Sequence, residues 1–125
     1  MIEVIDTGIA PSTSPVNDAV KAGNHVWLVV MAEDPQTGDI TQGDIEAQTR
    51  QALQNLDQAV RAAGGTLANI VQCHVFLTDR ADFKGMNKVY AEFFHKPYPV
   101  RATVVVKELI AEGLRIEITA TAVLD

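Results

Sequence analysis

The sequence predicts an α+β domain: a β-sheet with two helices packed on one face, in the order β-β-α-β-α-β-β. Three observations carry this expectation. Short β-branched and aromatic runs recur along the chain, two longer stretches change to helical spacing, and the final segment alternates strictly between apolar and polar residues. At 125 residues the chain is sized for one hydrophobic core, so residues 1–125 are expected to form a single domain.

The elements follow in order. The first 20 residues, with Pro11, Pro15 and Ser12-Thr13-Ser14 between them, read as a loop. His25 to Met31 is β-branched, aromatic and apolar on both faces, as a strand buried on both sides would be. Asp34-Pro35-Gln36-Thr37-Gly38 is a turn. From Asp44 onward Ile45, Gln48/Thr49, Ala52, Leu53, Leu56, Ala59, Val60 and Ala63 recur at helical spacing, and Gly64-Gly65 ends that helix. Ile70 to Leu77 is the next strand. Asp79 or Asp82 can cap a second helix, whose apolar stripe is Phe83, Met86, Tyr90, Phe93 and Phe94, and Pro97 and Pro99 stop it. Arg101 to Val106 and Leu114 to Leu124 are strands. In the latter Ile116, Ile118, Ala120 and Ala122 share one face, with Arg115, Glu117, Thr119 and Thr121 on the other.

Both helices follow strands, so the right-handed crossover rule puts them on the same face of the sheet. The unbroken apolar runs Trp27 to Met31 and Val104 to Val106 nevertheless ask for cover on both faces. A neighbouring subunit is the economical cover, so the chain is expected to oligomerise.

Composition narrows the function. Hydrophobic residues make up 47% and charged residues 21%, a globular balance, and no apolar run approaches a bilayer-spanning length. Met1-Ile2-Glu3-Val4 lacks the basic and apolar regions of a signal peptide. Cys73 is alone, which excludes an internal disulfide and fits a reducing cytosol, so the expected location is cytoplasmic. A formal charge of −6 with scattered Lys and Arg argues against a nucleic-acid partner, and no membrane partner is expected.

Two charged residues stand out. Arg101 opens an apolar strand directly after Pro97-Tyr98-Pro99-Val100; its planar fork suits a carboxylate, although a strand-end salt bridge explains it as simply. Glu117 lies mid-strand between Ile116 and Ile118, where it can orient water or act as a base, or simply face solvent. His25, His74 and His95 show no metal-ligand spacing, so no metal is expected. Cys73 and His74 are adjacent on a strand and point to opposite faces, which rules out a thiolate–imidazole pair. Gly64-Gly65 follows a helix instead of opening one, unlike a phosphate-binding loop, and Ser12, Thr13 and Ser14 lack a nucleophile's context. Tyr90 and Phe93-Phe94 read as core rather than as a stacking platform.

Several stretches, in unbroken order over roughly residues 15–123, together resemble the Rid, or YjgF-like, family. They are Gly23-Asn24, Asp34-Pro35-Gln36-Thr37-Gly38, Gln48-Thr49, Leu53-Gln54-Asn55-Leu56, Ala62-Ala63-Gly64-Gly65, Ile70-Val71 and Val75-Phe76-Leu77-Thr78-Asp79. Asp82-Phe83, Asn87, Val89-Tyr90, Phe93-Phe94, Pro99-Val100-Arg101-Ala102 and Ile116-Glu117-Ile118 complete the series. The resemblance implies a chorismate-mutase-like fold and a homotrimer with clefts between subunits. It further implies hydrolysis of reactive enamines and imines, such as 2-aminoacrylate, to a 2-oxo acid and ammonia, without cofactor or metal. By position, Arg101 falls on the family's carboxylate-binding arginine, Glu117 on its water-associated glutamate, and Asn87 on an asparagine lining the cleft.

The sequence departs from the family pattern within the same pocket. Pro-Tyr-Ser-Gln is replaced by Pro15-Val16-Asn17-Asp18, putting Val16 where the pocket tyrosine stands. Ser-Gly-Gln is replaced by Val29-Val30-Met31, the position two after the arginine is Thr103, and Leu-Pro is Leu109-Ile110. An anion clamp with apolar walls fits a bulkier acid substrate. It also fits the alternative of a non-catalytic trimer that binds or senses a small carboxylate.

Overall fold

The strongest local signals build the helices. In the computed structural model, which describes residues 1–125, α1 runs from Ile45 to Ala62. The Asp44 carboxylate accepts from the Ala47 amide at 2.9 Å, satisfying a donor that the first turn leaves free. Gly64 takes φ of +96°, and the Gly65 amide reaches back to the Val60 carbonyl at 3.0 Å, closing the helix end. The second helix, α2, spans Phe83–Phe93. Asp79 caps the short 3-10 turn that precedes it, donating no hydrogen but accepting from the Ala81 amide. Asp82 makes no cap bond; its carboxylate instead takes two hydrogen bonds from Arg115, at 2.8 and 3.0 Å.

Six strands form one sheet: β1 (Glu3–Val4), β2 (Ala19–Ala22), β3 (His25–Met31), β4 (Ile70–Leu77), β5 (Val100–Val105) and β6 (Ile116–Val123). Their spatial order is β1-β2-β3-β6-β4-β5, with β4 and β5 parallel and every other neighbouring pair antiparallel. The α+β class and the two helices on one face are as the sequence predicts, with one strand more than β-β-α-β-α-β-β. The first 20 residues are not simply loop. Glu3–Val4 and the start of β2 lie within them, and β2 pairs with β3 through the two-residue turn Gly23-Asn24. Gly23 supplies the positive φ of +60° that a tight hairpin turn needs at its first central position. Strands of two and four residues are too short to display a period.

The core lies between helices and sheet. Leu53, Leu56 and Val60 of α1 and Met86 and Val89 of α2 are fully buried against Val26, Val75, Ile116 and Ile118. The α2 stripe departs from expectation at its start: Val89 joins Met86 and Tyr90 inside, while Phe83 is 41% exposed. The helices approach closely at Gly85, where an added Cβ would sit 2.7 Å from the Ile45 Cγ2.

The other face of the sheet carries no helix. By register it presents Trp27, Val29 and Met31 from β3, Glu117, Thr119 and Thr121 from β6, Gln72, His74 and Phe76 from β4, and Val100, Ala102 and Val104 from β5. Trp27 and Val104 are exposed, as the uncovered apolar face expected from their runs, and Val100 is exposed beside them. No helix is long and apolar enough to cross a membrane.

Candidate functional site

The chain bends at Lys96-Pro97 as it leaves α2, and β5 begins at Val100 along the edge of the sheet. Arg101 pairs in register with Cys73 of β4, whose side chain is fully buried on the helix side. Arg101 therefore points toward α2 and not onto the open face. Its guanidinium carbon lies 4.5 Å from the Tyr90 ring centroid and 5.9 Å from that of Phe83. Three other arginines are held by carboxylates: Arg50 by Glu92, Arg61 by Asp57 and Arg115 by Asp82. Arg101 has no such partner, so the salt-bridge explanation does not hold within the chain. A half-buried guanidinium without a carboxylate partner in its own chain has the chemistry to grip a planar anion.

Two further candidates share this side. Asn87 is exposed on α2, one turn from both Phe83 and Tyr90. Thr103 is half-buried at the next helix-side position of β5, opposite Val75. Tyr90 is both core residue and platform: it is 7% exposed, stacks on Phe94 at 4.5 Å, and carries Arg101 on its ring. Burial, first, and the adjacent Cys73 push its phenol well above the usual range, while burial also raises the Cys73 thiol. Cys73 is thus a buried thiol, not a nucleophile poised as thiolate.

Glu117 and Val29 lie on the opposite face. Glu117 is flanked in register by Met31 and Phe76, and Val29 sits diagonally beside it, opposite Thr119. These apolar neighbours half-bury the carboxyl and raise its pKa above the ordinary 4.5 by desolvation. Desolvation makes this carboxylate a better proton acceptor than an exposed one. Val29 also lines a groove of about 380 Å³ with Trp27, Gln72, His74, Thr119 and Thr121. Val16 is apart from both groups, in an exposed loop beside a smaller hollow of about 260 Å³ lined by Ile5, Thr7 and Ile9.

The sequence-derived residues therefore fall into two groups on opposite faces of the sheet. Arg101, Asn87 and Thr103 lie on the helix side of the sheet edge, and Glu117 and Val29 lie on the open face. One chain does not bring them together, and neither Arg101 nor Glu117 lines any of five hollows on its surface. No group of three or more His, Cys, Asp or Glu side chains is placed to hold a metal ion. Tyr90 and Phe83 were not legible as site residues, because a helical apolar stripe looks the same whether or not an arginine lies over it.

Comparison with known proteins covers nearly the whole fold. The family described as Endoribonuclease L-PSP matches residues 7–124. A RutC family protein of Pyrococcus horikoshii is 44% identical over 124 residues, covering 98% of each chain. A 2-iminobutanoate/2-iminopropanoate deaminase of Dermatophagoides farinae is 33% identical, over 98% of this chain and 96% of its own. Among solved structures, RidA from an Antarctic Psychrobacter superposes with a TM-score of 0.91 at 35% identity, over 98% of this chain and 99% of its own.

Proposed function

The chain belongs to the Rid (YjgF-like) family, and on that premise we propose that it hydrolyses reactive enamine and imine acids to 2-oxo acids and ammonia. The observation that carries this is the Arg101 fork, half-buried and stacked on Tyr90, with no carboxylate of its own chain. Arg101 holds the substrate carboxylate through two parallel hydrogen bonds. The enamine first takes a proton at carbon to become the imine. Water then adds to the C=N carbon of the protonated imine, its proton passing to Glu117. The carbinolamine collapses to C=O as the nitrogen, reprotonated, leaves as ammonia. The protein's share is orientation and charge placement, since the substrate is already electrophilic. The chain's own groups suffice, with no cofactor or metal.

This chemistry needs Arg101 and Glu117 in one cleft, and they occupy opposite faces of one sheet. We therefore place the active site between copies in a homotrimer, with Arg101, Asn87 and Thr103 from one copy and Glu117 with Val29 from the next. The exposed Trp27, Val100 and Val104 are the apolar surface such an assembly would bury. Val29, where the family has a serine, and Val16, where it has a tyrosine, favour an acid with a larger apolar side chain. The same two valines favour a second reading, a trimer that binds a small carboxylate without hydrolysing it. A net charge of −6 speaks against a nucleic-acid substrate, and the lone Cys73 fits a cytoplasmic setting.

The test generates imino acids in situ with an amino-acid oxidase and traps the unhydrolysed imine with semicarbazide. Wild type is expected to suppress the adduct and Arg101→Ala to lose most of that effect, across small and bulky amino acids. Suppression by neither protein, for any amino acid, would leave the binding reading in its place.

A further inference from the structure

The seat beneath Arg101 differs from that of every paired arginine in the chain. Arg50, Arg61 and Arg115 are held by carboxylates, which occupy the in-plane N–H groups of the guanidinium. Arg101 is held through its face, 4.5 Å above the Tyr90 ring. The distinction matters for a clamp. An ionic partner competes with an incoming carboxylate for the same N–H donors, whereas an aromatic face attracts the cation and leaves the donors free.

The platform is itself rigid. Tyr90 is 7% exposed and rests on Phe94, which is 3% exposed, with ring centroids 4.5 Å apart and planes inclined by 25°. Its phenol oxygen is buried and completes no hydrogen bond within the chain. The ring face lies under the Arg101 guanidinium, and the hydroxyl sits beside Cys73 and Arg101 without completing a hydrogen bond to either. Phe83, farther away at 5.9 Å and 41% exposed, closes the flank.

We propose that Tyr90 is the positioning residue of the anion clamp, its ring fixing the Arg101 guanidinium by the face so that both edge N–H groups are presented to a ligand carboxylate. The proposal rests on the reading of Arg101 as a carboxylate clamp and names what makes that clamp ready before the ligand arrives. Tyr90 does not touch substrate. Loss of its ring weakens ground state and transition state alike, so it raises KM and leaves kcat unchanged.

The experiment compares wild type, Tyr90→Phe and Tyr90→Met in the full-length protein, methionine being chosen because it fills an irregular core gap adaptably. The Arg101 Nε–H resonance is followed by NMR at pH 6 during titration with propionate, a plain monocarboxylate. In wild type that resonance is expected to be displaced upfield by the Tyr90 ring current before any propionate is added. Tyr90→Phe is expected to keep both the displacement and the propionate affinity. Tyr90→Met is expected to lose the displacement and bind propionate roughly 3- to 30-fold more weakly, with a matching rise in KM for imine hydrolysis. An undisplaced resonance in wild type overturns the proposal without any variant, should Tyr90→Met fail to fold. Equal weakening in Tyr90→Phe and Tyr90→Met overturns it too, by assigning the effect to the hydroxyl. If wild type hydrolyses no imine, the proposed activity falls, while the resonance and the propionate titration still decide the role of Tyr90.

Discussion

Mixing two inactive proteins should restore activity, if the half-sites on opposite faces of the sheet belong to different copies. Arg101→Ala removes the clamp and keeps Glu117; Glu117→Gln removes the proton-handling carboxyl and keeps Arg101. Homogeneous assemblies of either variant lack one partner at every site. In a random one-to-one mixture, a site is complete only when its Arg101 comes from a Glu117→Gln copy and its Glu117 from an Arg101→Ala copy. Each event has even odds, so about one quarter of the sites are intact in any cyclic assembly where neighbours share sites. The variants would be co-expressed with different affinity tags, purified through both tags in succession, and assayed for suppression of the semicarbazide adduct. Tandem purification removes the homogeneous assemblies. In a trimer each remaining assembly then has one intact site in three, about 33% of wild-type activity per site. Activity no higher than the better single variant would refute the shared site, because a site built within one copy is never completed by mixing.

Glu117 offers a pH-dependent test. Burial raises its folded-state pKa above 4.5, so ionising it costs folding energy once the pH exceeds that ordinary value. Glu117→Gln is expected to raise the Tm at pH 7, and the gain should vanish below pH 4.5, where the carboxyl is neutral whether folded or unfolded. A gain that persists unchanged at low pH would remove ionisation as its cause. The same displacement should move the acid limb of the wild-type kcat/KM profile above 4.5, read by rate measurements across pH. Gly85→Ala sets helix propensity, worth about 1 kcal/mol in alanine's favour, against overpacking of about 1–3 kcal/mol where the new Cβ would meet Ile45. Urea unfolding is expected to show a net loss of about 1 kcal/mol, recovered in the double variant with Ile45→Leu, which lacks the Cγ2 atom. Stabilisation by Gly85→Ala alone would show that the helix contact yields easily.

The sequence made α1 and β6 legible almost residue by residue. Asp44 and Gly64 bound α1 because capping chemistry is local, and β6 alternates cleanly because one of its faces is core and the other is not. Parity alone also put Cys73 and His74 on opposite faces, and Glu117 on the face away from Ile116. β2 was hidden because its four residues are held by pairing with β3, a contact remote from any local period. β5 conceals its parity, since valines point to both sides of an edge strand, and the side on which Arg101 emerges is decided by its register with Cys73. The aromatic seat of Arg101 arises only when α2 folds back over β4 and β5. The resemblance supplied Arg101 and Glu117 as partners, but their separation onto two faces is a property of the sheet.

That separation has a consequence for how such a protein can change. In the proposed clamp, the grip on the acid group is embedded in the packing of Tyr90, Phe94 and Cys73, where a substitution disturbs the core. The surface around Val29 is half-buried on the far side of the sheet and shares no side-chain contact with that grip. Under the proposed function, selectivity for the rest of the ligand would therefore drift, or be engineered, without touching the residues that keep the chain folded and the acid held. A new preference at Val29 would come with an inherited handle at Arg101.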